Sequence, residues 1–200
     1  MIGAIDEPHH LDRRAGLPAD LRNLLVRYPR EIWTGHENLG QTARFWLQRH
    51  DMFRELGTAM ETALLRHREG EIDLASFRGW FAPRLRFFLQ QLEGHHQIED
   101  DHYFPVFQKA ERRLAHGFEL LEADHEVIHH DLLATAETAR LFLAAETASL
   151  VTGEDGARRA ADAYGAASER LLRRLVRHLA DEEDLIVPII LDRGETALGL

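Results

Sequence analysis

Histidine and glutamate recur in this sequence at the spacing that lets one helix grip a metal twice. His95 with Glu99, His125 with His129 and His178 with Glu182 are each four residues apart, and His50 stands alone upstream. On a helix, residues four apart lie about 40° apart around the axis and about 6 Å along it, so each pair points one way. The chain holds thirteen histidines and no cysteine, so a metal would have to sit on nitrogen and oxygen. The pattern also repeats. His95 and His178 each precede a proline, Pro105 and Pro188, by ten residues, and each is followed four residues later by glutamate.

These residues need helices to position them, and the sequence reads as all-α. Ala, Leu, Glu and Arg dominate, and alternating β-branched runs are missing. Four long segments carry apolar residues at helical spacing. The first runs from about Leu39 to Arg68, stopping near Gly70; the second from about Leu74 to Gln108, with Asp73 as its N-cap. The third runs from about Arg112 to Ser149 and the fourth from about Ala157 to Leu191, with a turn at residues 152–156 between them. Pro83 should bend the second helix or mark a late start, and Pro105 and Pro188 sit near helix ends. Counted outward from the turns at about 1.5 Å per residue, the four ligand-bearing stretches come to nearly one height. The expected architecture is an up-down-up-down antiparallel four-helix bundle over residues 39–200, with its ligands in one interior layer. Residues 1–38 carry Pro8, Pro18 and Pro29 and read as an irregular N-terminal extension or cover, with one short amphipathic piece at Leu21, Leu24, Leu25 and Tyr28.

The order His50, His95-xxx-Glu99, His125-xxx-His129, His178-xxx-Glu182 resembles the hemerythrin, or HHE cation-binding, domain family over roughly residues 39–191. The resemblance implies a non-haem di-iron centre. His125, His129 and His178 would hold one iron, His50 and His95 the other, and Glu99 and Glu182 would bridge them. Where the third helix offers His129, the first has Arg54 at the matching position, which leaves one iron a ligand short and open to dioxygen or a small anion. The implied function is dioxygen binding for storage, delivery or sensing. The alternatives are a di-iron redox enzyme that turns over peroxide or nitric oxide, and an iron-handling protein. Oxygen-carrying members end on an aspartate five residues after the last histidine; here that position is Glu183, while helix geometry and the internal repeat favour Glu182. Trp46, Phe53, Leu92, Leu121, Leu132, Leu133, Leu171, Leu175 and Leu185 lie one turn from the ligands and are expected to wall the site or simply to form the core.

Other readings explain less. The net charge of −10, with arginines interleaved among acids, argues against a nucleic-acid partner. No stretch reads as a membrane span or a secretory signal, so a cytoplasmic location is expected. His125-Glu126-Val127-Ile128-His129 spells the zinc-protease motif, but no third zinc ligand is evident. A ferritin-like pattern of Glu-x-x-His pairs would leave His50, His95 and His178 unexplained. A mixed nitrogen and oxygen set suits iron without excluding manganese or zinc. His96 and His130, each about 100° round from a proposed ligand, are expected to face solvent or a neighbouring carboxylate.

Overall fold

A computed structural model describes residues 9–152 and 154–200, and no strand occurs among them. The protein is an all-α helical bundle with four long helices: α3 (Gln41–Arg68), α4 (Leu74–Ile98), α6 (Ala115–Thr152) and α7 (Glu154–Arg193). Short helices α1 (Asn23–Arg27) and α2 (Arg30–Trp33) precede them, and α8 (Glu195–Leu198) follows. Of the turn expected at residues 152–156, Gly153 lies outside the described residues, as does Pro8 of the extension, and residues 154–156 already belong to α7, which starts three residues before the expected Ala157.

Local sequence signals set the helix ends. Gly70 takes a φ of 76°, which lets the Glu71 N–H reach back to the Arg66 carbonyl at 2.9 Å and the Gly70 N–H to His67 at 3.0 Å, closing α3. Asp73 then caps α4, accepting the Ser76 N–H at 2.9 Å. Pro83 is carried inside α4 and Pro188 inside α7. At Glu99–Tyr103 the helix widens into a π turn before α5 (Phe104–Ala110), and this puts Pro105 in the first turn of that helix, the position that tolerates proline best.

The chain divides into two compact units, each taking a length of all four long helices. One comprises the N-terminal residues through Met52, His95–Glu126 and Arg174–Leu200. Its core joins Phe104, Phe107, Phe118, Leu121, Leu185 and Ile189 to residues of the N-terminal segment, Leu17, Leu21, Trp33 and Leu39. That segment, in which α1 falls on the short amphipathic piece expected at residues 21–28, therefore contributes to the unit's core. Arg174 with Asp12, and Arg177 donating to the Ala15 carbonyl at 2.7 Å, fasten it to α7.

The other unit comprises Phe53–Gly94 and Val127–Arg173. Its core is aromatic. Phe77 stacks on Phe81 at 4.7 Å, Phe81 meets the edge of Tyr164 at 5.4 Å, and Phe53 meets Phe88 at 5.7 Å. Leu133, expected to face the interior, is 53% exposed, because it sits on the flank of α6 next to buried Leu132.

Candidate metal centre

Two groups of donor atoms meet in the interior of the first unit. His50, His95, Glu99 and Glu182 form one, and His96, His125 and His178 the other; within each group the ligand atoms lie within 4.8 Å of one another, and all seven residues are buried. The two glutamates reach toward both groups. Glu99 places Oε1 3.1 Å from His95 Nε2 and Oε2 3.8 Å from His125 Nε2, while Glu182 Oε2 stands 3.5 Å from both His50 Nε2 and His178 Nε2.

The outer nitrogens of three of the histidines are held by carboxylates. His50 Nδ1 donates to Glu183 at 2.9 Å, His125 Nδ1 to Asp100 at 2.8 Å and His178 Nδ1 to Asp124 at 3.2 Å. Each contact fixes the tautomer with the proton on Nδ1 and turns the Nε2 lone pair inward, as in the carboxylate–histidine–metal arrangement. His125 and His178 consequently aim two lone pairs at each other, Nε2 to Nε2, at 3.0 Å. Two acceptors so close repel unless a cation lies between them. Two nitrogens each about 2.1 Å from one ion, at a right angle, stand about 3.0 Å apart. The donor set therefore fits a metal. The carboxylates add a second observation: Glu182 Oε1 and Oε2 and Glu99 Oε2 are buried and face no donor except each other's carboxyl when one carries a proton, a costly state that a bound cation would relieve.

Electrostatics agree with a site made for positive charge. Burial, followed by the neighbouring imidazoles, pushes His95 well below its ordinary value, and burial and then His178 do the same to His125, which favours the neutral form that ligates metals in both rings. Burial raises Glu99 to about 8 against hydrogen bonding that lowers it, and raises Glu182 well above the carboxylate range, with Glu99 beside it adding to the effect. Glu99 Oε1 also accepts the Trp46 Nε1–H at 2.6 Å. Behind the site, burial pushes Asp124 up, but its bonds to His178 and Arg14 outweigh this and hold it below the ordinary aspartate value.

Of the expected ligands, the structure brings together His50, His95, Glu99, His125, His178 and Glu182, and leaves His129 out of both groups. His129 Nδ1 instead contacts Glu93 at 2.9 Å with its side chain 45% exposed. His96, expected to face outward, is buried and stacks on His125 at 4.0 Å. The reason is geometric. A helix inside a bundle faces two neighbours, so a residue 100° round from His95 is turned to the next helix and not to water. His95 lies against His50 at 5.1 Å, and His96 against His125 and His178. Of the two glutamates in question, Glu182 lies in the donor group, and Glu183 backs His50. Glu126 is exposed, and Arg54 belongs to the other compact unit.

Residues 41–190 match the family described as the hemerythrin HHE cation binding domain. The chain belongs to that family. No curated protein and no solved structure matches it. The matched stretch contains all seven residues of the two donor groups, and it leaves out the segment before residue 41 that packs into the same core. As a hemerythrin-type domain the protein binds a metal cation, and no helix among its described residues is long and apolar enough to cross a membrane.

Proposed function

We propose that the protein holds a non-haem di-iron centre and binds dioxygen or a small anion there. His96, His125 and His178 would hold one ion and His50 and His95 the other, with Glu99 and Glu182 shared between them. The observation that carries this reading is the pair of facing lone pairs on His125 and His178, set beside buried glutamates that reach both donor groups. Two histidines would hold one ion and three the other, so the His50 and His95 side is the one with fewer protein ligands. Two iron ions held in this way would supply two reducing electrons and a place for dioxygen or an anion.

The chain's own residues set the conditions. Trp46 holds Glu99 by its Oε1. Asp100, Asp124 and Glu183 keep the protons of three histidines on their outer nitrogens. Phe104, stacked 5.4 Å from His125, together with Leu121, Leu179 and Leu185, all buried, keeps the interior dry. A dry pocket restricts proton and reductant access and favours reversible binding.

One contact favours redox turnover of peroxide or nitric oxide as a second reading. Trp46, bonded to Glu99, stacks 5.9 Å from the half-buried Tyr103, so two oxidisable rings lead outward from a proposed ligand. The optical spectrum of iron-loaded, reduced protein separates the two. A band that appears in air and vanishes under vacuum supports carriage or sensing, whereas irreversible oxidation with brisk peroxide consumption supports turnover. Protein that takes up no iron would overturn both.

A further inference from the structure

The N-terminal segment bears two arginines whose forks end at the same kind of target. Arg14, nearly fully buried, donates from Nη1 to Asp124 Oδ1 at 2.8 Å and from Nη2 to the same carboxylate, and from Nε to Asp181 at 2.8 Å. Asp124 in turn accepts the Nδ1 proton of His178. Arg30 donates from Nη1 to Glu183 Oε2 at 2.8 Å, from Nε to Asp184 at 2.7 Å and from Nη2 to the Ala180 carbonyl at 2.9 Å, and its guanidinium lies over Trp33 at 4.8 Å. The other oxygen of Glu183 accepts the Nδ1 proton of His50. The two chains of contact are alike in order, arginine to carboxylate to histidine. One ends on each donor group.

We propose that Arg14 and Arg30 are positioning residues through which the N-terminal segment sets the aim and tautomer of one histidine in each metal group, His178 by way of Asp124 and His50 by way of Glu183. A carboxylate that must hold an imidazole in one orientation has to be held itself. Arg14 grips Asp124 by two N–H groups and so fixes its rotation, and Arg30, itself held in place by Asp184 and the Ala180 carbonyl, gives Glu183 one charge-assisted N–H on the oxygen that faces away from His50. The segment is well placed for this. Leu17, Leu21 and Trp33 anchor it in the core, and Asp12 and the Ala15 carbonyl tie it to α7 through Arg174 and Arg177. Both arginines precede residue 41, where the family match begins, so they lie outside the stretch that the match covers.

The inference rests on the metal-centre reading above, and the test separates the two. In metal-free protein, ¹⁵N chemical shifts of the histidine rings report which nitrogen bears the proton. The expectation for the unaltered protein is that His50 and His178 are both held in the Nδ1–H form. Arg30→Gln should mix the tautomers of His50 alone, and Arg14→Gln those of His178 alone. In a stepwise cobalt(II) titration each variant should weaken one of two binding steps by about tenfold and leave the other unchanged, since removing a partner behind a ligand costs about that much affinity. Arg30→Lys should restore only part of the loss. Arg30 is 44% exposed, so its variant folds even if loss of the buried Arg14 does not permit folding, and it decides the matter alone. A merely structural role would lower the melting temperature while both tautomers and both binding steps stayed as they were, and that result overturns the proposal. So does equal weakening of both steps by Arg30→Gln. If unaltered protein binds no cobalt, the metal reading fails, and the tautomer measurement still decides whether the arginines act on the histidines.

Discussion

Replacing Glu99 by glutamine should stabilise the metal-free protein, and the gain should grow with pH. Burial holds the Glu99 carboxyl at about 8 against an ordinary value of 4.5. The neutral form's advantage is therefore complete below about 4.5 and is lost as the pH rises through about 8, because across that window the folded chain keeps a proton that the unfolded chain has released. Each pH decade is about 1.4 kcal/mol, so the whole window is of order 5 kcal/mol. His95 and His125 act in the opposite sense. Depressed well below 6.5 by burial, they reduce stability only as the pH falls below 6.5. Between pH 6.5 and 8 the glutamates act without them, and Glu99 by itself should cost the metal-free protein about 2 kcal/mol over that interval, with Glu182, raised in the same way, adding to the loss. Glutamine keeps an oxygen for the Trp46 N–H and cannot ionise. In urea titrations at pH 6.5 and 8, Glu99→Gln should be more stable than the unaltered protein at both and should lose less stability between them, the remaining loss coming from Glu182, together with loss of metal binding. A variant that is less stable than the unaltered protein at pH 8, or that keeps full metal affinity, would show that Glu99 serves the fold and is not held ready for a cation.

Other perturbations separate ligation from packing. Asp124→Asn should reduce metal affinity about 10- to 100-fold, measured by competition with a chelator, because it can no longer fix the Nδ1 proton of His178 while bound to Arg14. His96→Ala should abolish one of two metal-binding steps, while His129→Ala, which removes only a half-exposed ring bonded to Glu93, should leave both within about twofold. Phe81→Ala, which empties a fully buried position between Phe77 and Tyr164, should cost about 3–5 kcal/mol in chemical denaturation without altering metal affinity.

Much of this was legible in the sequence because helices impose a strict period. The four-residue spacing of His95 with Glu99 and of His178 with Glu182 predicts shared faces, and both pairs meet in the interior. Gly70 and Asp73 mark a helix end and a helix start through backbone and side-chain chemistry that is local to a few residues. What could not be read depends on how wide an interior face is and on contacts far apart in the chain. Spacing alone favours His129 as the partner of His125, yet His96 lies beside His125 because α4 faces two helices at once and Glu93 engages His129. The carboxylates behind the histidines were missed for the same reason. Asp100 and Glu183 directly follow proposed ligands and Asp124 directly precedes one, a signal available in the sequence but common to any acidic helix. Nothing in the irregular, proline-bearing stretch before residue 41 announces that Arg14 would meet Asp124 or Arg30 would meet Glu183, more than a hundred residues away in each case.

The central claim, that two cations lie side by side in the first unit, is tested most directly by anomalous diffraction at the iron edge from iron-loaded crystals. The account predicts two peaks, one beside the Nε2 atoms of His50 and His95 and one beside His96, His125 and His178, with Glu99 and Glu182 between them. A single peak, no peak, or a peak held by His129 with His96 turned away would contradict it.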